Sequence, residues 1–301
     1  MTLEQLRIFV AVAEREHMTL AAESLKLTQS GVSAAISALE AQCATRLFDR
    51  VGRQIKLTEG GRIFLAEAKG ILARVETAKE ALAEVDGLKR GTLRLQSSMT
   101  IASYWLPQRL VKFRKAYPQI AVHLRIDNTA NVAKSVIDGT AEVGFVEGEV
   151  SDPLLKQHVV DTDQLVVVVS NRHPSAKLKK ITVHDLRKFK WVLREDGSGT
   201  RSIFESALRN LKIDPAALDI ALELPSNEAI KTAVAAGAGA TAISQSVVNA
   251  DIVSGKLVRL PLKLPRRAYS VLHHRDRYRS RMARALLAMI NPGDHCLAGK
   301  S

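Results

Sequence analysis

The sequence predicts an α/β chain with an all-α-type head: a winged helix-turn-helix, one long helix, then a C-terminal unit of strands and helices. Three observations predict it. Between Thr19 and Thr58 two short helical patterns, a tight turn and an arginine-bearing hairpin follow one another. From Glu59 to about Val85 apolar residues recur at alternating spacings of four and three, and beyond residue 91 short apolar strands alternate with amphipathic helices.

In the head, Leu3, Leu6, Phe9, Val10 and Ala13 give a first amphipathic helix. Thr19 is placed to cap a second, packed through Ala21, Ala22 and Leu25, and Leu27-Thr28 makes the turn. The third helix docks through Val32, Ile36, Leu39 and Cys43 and turns Gln29, Ser30, Ser33, Ala34 and Ser37 the other way. Small hydrogen-bonding groups on a slender helix suit the major groove of duplex DNA. Leu47-Phe48 then anchors an extended pair bearing Arg50, Arg53 and Lys56, with Val51-Gly52 near its tip, which completes a winged helix-turn-helix.

The net charge of +13 is unevenly placed. Residues 1–90 hold 13 Lys and Arg against 12 Asp and Glu, leaving 31 against 19, or +12, in residues 91–301. No Lys or Arg falls between Lys26 and Arg46, so the third helix reads bases without gripping phosphates. That grip is left to Lys26, Arg50 and Arg53, and one head should bind weakly unless several share a site.

Phe64, Ala68, Ile71, Val75, Ala78, Leu82 and Val85 form a heptad seam on a helix ~40 Å long. So narrow a stripe either pairs with a second copy or packs on its own C-terminal unit. Asp86–Gly91 breaks the pattern and marks a boundary. Strands are then expected at Thr92–Gln96, Ala121–Ile126 and Val143–Val146, with helices at Leu106–Tyr117 and Asn131–Asp138 between them. A second set starts with the valine run Leu165–Ser170, suited to a strand buried on both faces. It continues with strands at Trp191–Arg194, Ile220–Leu224, Ala240–Ile243 and Leu257–Leu260, and helices at Val183–Lys188, Ser202–Leu211 and Asn227–Ala236. Such alternation implies a parallel sheet. Tyr269–His273 and Arg279–Ile290 read as a strand and helix returning to the first set.

The chain resembles the LysR-type transcriptional regulators of bacteria. The resemblance is carried by Phe9-Val10-Ala11-Val12-Ala13, Thr19, Ala21-Ala22, Leu25, Thr28-Gln29-Ser30, Val32-Ser33, Ile36, Leu39-Glu40, Leu47-Phe48, Arg50, Arg53 and Leu57-Thr58-Glu59-Gly60-Gly61. His17-Met18, Cys43-Ala44 and Ala34-Ala35 depart from the family's preferences: Ser-Phe, Leu-Gly, and a basic or longer polar residue. The resemblance implies a DNA-binding domain over residues 1–58, a dimerising linker helix over 59–88 and an effector domain over 91–301. That domain would be two-lobed like periplasmic binding proteins, lobe I being 91–162 with 267–301 and lobe II 163–266. It also implies a double-stranded operator, a homotetramer, a cytoplasmic location and RNA polymerase as a further candidate partner.

In such a domain small ligands bind between lobes, where loops leave strand ends and helix N-termini point inward. Three loops qualify: Ser97-Ser98-Met99-Thr100, Asn128-Thr129-Ala130-Asn131 and Asp196-Gly197-Ser198-Gly199-Thr200-Arg201. The candidate effector residues are therefore Ser98, Met99, Thr100, Thr129, Asn131, Gly197, Ser198, Gly199, Thr200 and Arg201, with Glu147 aiming a carboxylate at the same cleft. Hydroxyls and free N–H groups suit a small oxyanion or carboxylate. Glu147 disfavours a dianion unless it is protonated or paired with Arg201. The glycine loop also resembles regulators of sulfur assimilation and carbon fixation.

Ser and Thr at helix starts are also ordinary caps, and Arg201 could instead lie at the surface or pair with Glu195 or Glu228. Ser198 lacks a Gly-x-Ser-x-Gly elbow, so an enzyme is not expected; a solute-binding protein suits residues 91–301 alone. The histidines and the two cysteines, Cys43 and Cys296, show no metal spacing, so neither metal nor cofactor is expected. No apolar run approaches the roughly 20 residues of a membrane span. Two basic runs, Arg172–Arg194 with eight cations to one acid and Arg259–Arg284 with nine to one, read as solvated faces that raise the positive potential around the lobes.

Overall fold

The computed structural model describes residues 1–51, 54–83 and 91–291. The chain divides into two compact units, Met1–Gly87 with Asp138–Thr140, and Leu88–Ile137 with Ala141–Ser301. In the first, α1 (Leu3–Arg15), α2 (Met18–Leu25) and α3 (Gln29–Cys43) precede a hairpin of β1 (Phe48–Val51) and β2 (Gln54–Leu57), then α4 (Glu59–Ala83). Thr2 caps α1 in a reciprocal box with Gln5. Phe9 is fully buried, 5.4 Å from the Phe48 ring and 4.9 Å from that of Phe64, so α1 is the spine on which α3, the hairpin and α4 pack. The Glu40 carboxylate accepts from the N–H groups of Leu47 (2.7 Å) and Phe48 (3.1 Å), tying the end of α3 to the hairpin. A Cβ at Gly61 would stand 2.1 Å from the Leu47 carbonyl oxygen, so α4 can start there only with glycine.

Three details of the head differ from expectation. His17, not Thr19, caps α2, its Nδ1 accepting from Leu20 N–H at 3.4 Å; histidine does there what a serine would do. Ala44 ends α3 in the left-handed region (φ 48°), a conformation that favours glycine. The heptad seam also divides. Phe64 and Ala68 pack into the head's core, whereas Ile71, Ala78 and Leu82 are exposed, and Val85 lies outside the described residues.

The second unit is built on β3 (Gly91–Ser98), β4 (Ile120–Asp127), β5 (Val143–Glu147), β6 (Leu155–Ser170), β7 (Lys190–Arg194), β8 (Asp219–Leu224), β9 (Thr241–Ser244), β10 (Leu257–Arg259) and β11 (Arg266–His274). β6 is ten residues longer at its start than the valine run suggested. Its first part alternates exposed and half-buried residues and pairs with β11, and Leu165–Ser170 is buried between β9 and β10. β11 returns antiparallel between β5 and β6, so the sheet is mixed; β4, β3 and β5 run parallel, as do β7 and β8, and Trp191 makes a parallel bridge to Ala240. The parallel expectation failed because a strand entering by a crossing, rather than through a helix, need not follow the βαβ rule.

Helices cover this framework: α5 (Met99–Tyr104), α6 (Leu106–Ala116), α7 (Thr129–Asp138), α8 (Val183–Lys188), α9 (Gly199–Asn210), α10 (Asn227–Ala235), α11 (Gln245–Val253) and α12 (Arg281–Ile290). One core gathers Leu93, Leu95, Phe113, Phe145 and Val271 under α6 and α12. Two others lie on opposite faces of the later strands, around Trp191 with Phe204 and around Val166 with Ile230. The unit is thus two lobes, and β6 and β11 belong to the crossing between them.

Candidate functional sites

In the head, Thr28 ends the turn as the N-cap of α3, its hydroxyl accepting from Gly31 N–H at 3.1 Å and from Ser30 Oγ at 3.3 Å. Gln29, Ser30, Ala34 and Ser37 are exposed along one face of α3 and Ser33 is half-buried, while Val32, Ile36 and Leu39 are buried on the other. The helix therefore presents amide, hydroxyl and methyl groups to solvent, and the Thr28 hydroxyl, an acceptor in both bonds, keeps its proton to donate. Lys26 is exposed in the left-handed C-cap of α2, at the edge of this surface. The Arg50 side chain and all of Gly52 and Arg53 lie outside the described residues.

The second unit brings the three predicted loops together. Ser98 and Thr100 stand where β3 enters α5, Thr129 opens α7, Glu147 ends β5, and Ser198-Gly199-Thr200 open α9; all six of the polar side chains are buried. Gly199 is required for the approach, because a Cβ would lie 2.6 Å from both Glu147 O and Thr129 Oγ1. Along one rim, Ala130 N–H donates to Gly197 O (3.2 Å) and Asn128 Nδ2 to Asp196 O (3.4 Å). Along the other, Asn227 Nδ2 donates to Thr100 Oγ1 (3.2 Å), Asn227 N–H to Met99 Sδ (3.4 Å) and Tyr104 OH to Glu228 Oε1 (2.6 Å). Burial, then Glu228, pushes the Tyr104 phenol up to about 12.

The floor carries a buried ion cluster that sequence reasoning missed. Arg267, on β11, donates through Nε to Asp163 (2.8 Å) and through Nη1 to Thr200 Oγ1 (2.8 Å), and its Nη2 lies 2.7 Å from Asp163 and 3.9 Å from Glu147. The carboxylates outweigh burial and hold its pKa above the usual value. Glu147 thus pairs with Arg267 and not with Arg201. Ser244 Oγ donates to the other Asp163 oxygen at 2.9 Å.

Two expected ligand groups are turned elsewhere. Arg201 is held by Glu205 (2.8 Å), by Glu223 and by the Arg194 carbonyl, the outcome in which its guanidinium serves a local ion pair. Its partners are neither Glu195 nor Glu228; Glu195 pairs with the buried Arg194. Asn131 is exposed, and its amide donates to Asp127 at 2.7 Å. What remains free is informative: neither Ser98 nor Ser198 bonds its own helix as a cap, and Ser98 Oγ is buried without a hydrogen-bond partner among the described residues. No hydrogen bond joins the Ser198 hydroxyl to a histidine or carboxylate among those residues, so no triad is assembled there.

Two family patterns match the chain: bacterial regulatory helix-turn-helix protein, lysR family, over residues 3–62, and LysR substrate binding domain over 86–293. An HTH-type transcriptional regulator of Escherichia coli K12, YeiE, is 34% identical over 97% of this chain and 98% of its own. A probable RuBisCO transcriptional regulator of Thalassiosira pseudonana is 34% identical over 93% and 94%. Among solved structures, the LysR family regulator CbnR superposes over the whole of both chains with a TM-score of 0.72 at 21% identity, a likeness of fold. The regulatory domain of Synechocystis PCC6803 CcmR in complex with 2-PG matches 67% of this chain and 96% of that one, at 26% identity and a TM-score of 0.60.

Proposed function

The chain belongs to the LysR family of DNA-binding transcriptional regulators with an effector-binding domain, and on that premise we propose that its effector is a small, singly charged oxyanion or carboxylate bound between the lobes. The observation that carries this reading is the pair of helix starts at Ser98 and Ser198 whose buried hydroxyls do not cap their own helices. N–H groups at a helix start favour an anion. Ser98 Oγ has a proton to give, and the Thr100 and Thr200 hydroxyls, which accept from Asn227 and Arg267, can donate onward. The floor limits the charge, since Arg267 faces two carboxylates. A ligand with one negative charge, or with a proton of its own for Glu147, matches that balance better than a dianion. Gly197 and Gly199 shape the cleft; Met99 lines it beside Asn227, while Arg201 and Asn131 hold its walls. The CcmR regulatory domain, in complex with 2-PG, supports a small-molecule effector for a domain of this fold.

For the head, Gln29, Ser30, Ser33, Ala34 and Ser37 read bases, and Lys26 with Arg50 and Arg53 takes phosphates. The exposed half of the seam, Ile71, Ala78 and Leu82, pairs two copies, and two such dimers make a tetramer. The effector reading is tested by thermal shift of the full chain against a panel of small oxyanions and carboxylates, repeated with Thr100→Ala and Ser198→Ala. A stabilising hit weakened by both changes supports it. A panel without any hit, or a hit indifferent to both changes, sinks it.

A further inference from the structure

The two basic runs meet different fates in the fold. The later one is absorbed in part: Arg267 is buried in the ion cluster, Arg277 donates to the carbonyls of Val136 (2.8 Å) and Ile137, and Arg284 lies over the Tyr278 ring at 5.9 Å, while Arg259, Lys263, Arg266, Arg275 and Arg281 are exposed. The earlier one stays at the surface except for Arg194, which is buried and paired with Glu195. Arg172, Lys177, Lys179, Lys180, Lys188 and Lys190 are all exposed, and none makes an ion pair among the described residues. The single acid of the run, Asp185, is spent on its own helix, accepting from the Thr182 N–H (2.8 Å) and hydroxyl (2.6 Å) to cap α8.

The fold also gathers these cations. The His173 ring meets Phe189 edge-on at 5.6 Å, which folds the start of the run against its end. Beside them lies a groove of about 350 Å³ whose walls include His173, Lys188 and Lys190, with Asp185 as its one carboxylate. Asn171 N–H donates to the Lys256 carbonyl and Arg187 to that of Lys212, which brings two further exposed lysines to the margins. The result is a stretch of lobe II surface on which six exposed cations stand against one capping acid, an excess of positive field.

The charge ledger says what would meet that field. The head has a net charge of only +1 and its reading helix has no cation, yet the protein binds DNA, whose affinity comes chiefly from phosphate neutralisation. We propose that the lobe II face around Arg172–Lys190 is a second, sequence-independent contact for the phosphate backbone of duplex DNA. It rests on the DNA-binding role of the family and adds to the head the electrostatic grip the head lacks.

The test is the salt dependence of binding by the full-length protein to a mixed-sequence duplex, read by fluorescence anisotropy. Lys177→Gln/Lys179→Gln/Lys180→Gln is compared with wild type and with Lys112→Gln/Lys115→Gln/Lys134→Gln, which removes the same charge from exposed sites elsewhere on the second unit. With each neutralised phosphate worth about 0.9 in slope, the first variant should lower the slope of log K against log salt by about 2–3 and weaken binding on the order of 10- to 100-fold at physiological salt. The control variant should keep the wild-type slope. Equal slopes in all three proteins overturn the proposal, and so does an equal fall in both variants, which would mean a general field and no defined face. Failure of the wild type to bind duplex at any salt would instead overturn the DNA-binding reading beneath it.

Discussion

Replacing Arg267 tests whether the floor of the cleft holds the second unit together. The guanidinium is 1% exposed and faces Asp163 and Glu147, themselves 7% and 3% exposed. Arg267→Met keeps most of the aliphatic stem, so little packing is lost and the perturbation is electrostatic. It strands two buried carboxylates and removes the donor to Thr200 Oγ1. Breaking a buried pair from one side costs about 3–5 kcal/mol, most of it the penalty for the charge left behind. In a unit of this size each kcal/mol lowers Tm by about 2–4 °C, so a fall of about 6–20 °C is expected. The assay is selective, because the chain's two tryptophans, Trp105 and Trp191, are buried one in each lobe, and their fluorescence in urea reports the second unit. Asp163→Asn alone should also destabilise, and the double variant should cost less than the two singles added, by about 1–3 kcal/mol. A loss under about 1 kcal/mol for Arg267→Met, or strict additivity, would refute the account of the cluster.

Ala44→Gly should stabilise the head by about 0.5–1 kcal/mol, since glycine adopts φ 48° without the strain of a Cβ; helical circular dichroism on heating measures it, and a destabilised variant counts against the left-handed cap. His273 is buried, its Nε2 has no hydrogen-bond partner among the described residues, and its pKa is lowered, by burial first, from 6.5 to about 4. A folded-state pKa below the unfolded one means that stability present above pH 6.5 is lost as pH falls through the window to about 4, by about 2–3 kcal/mol. His273→Phe should flatten that part of the stability profile, and an unchanged profile would clear His273 of the role. Tyr104→Phe removes the 2.6 Å bond to Glu228 and should cost about 1 kcal/mol, with no further cost in Tyr104→Phe/Glu228→Gln; additive losses would show that the bond does not couple the rims. In the head, Gln29→Ala and Ser33→Ala should relax the preferred DNA sequence with little change in salt slope, checked by selection from random duplexes.

Much of the fold could be read because local chemistry and global fold agree. The α3 stripe of Val32, Ile36 and Leu39 is buried as its spacing requires, and the valine run of β6 is buried on both faces. What escaped were places where two signals compete. Leu155–Gln164 is polar at most positions, and only its pairing with β11 makes it a strand. Met99–Tyr104 is six residues long, too short for a helical period to show, and it exists because β3 must turn at the cleft. The seam of α4 was legible as a period but not as a division, because Phe64 serves Phe9 of its own head before any partner.

The site was legible to the same depth and for the same reason. Hydroxyls beside glycines at helix starts are local signals, and Ser98, Thr100, Thr129, Ser198 and Thr200 are all buried. Arg201 has that local signal too, but an arginine two residues into α9 is reached by Glu205 one turn on and by Glu223 of the neighbouring strand, and these nearer carboxylates take it. The cation of the cleft comes instead from Arg267, 104 residues from its partner Asp163 and set in a run of nine basic residues, where composition argues for solvent. Burial reverses that argument. A guanidinium at the crossing of β6 and β11 is tolerable only because carboxylates from both lobes converge on it, and it is the topology, a returning strand, that brings them there. The cation buried among these hydroxyls is therefore the one that a reading by neighbours in sequence cannot assign, while Lys177, Lys179, Lys180, Lys188 and Lys190, which such a reading assigns to the surface, are exposed there.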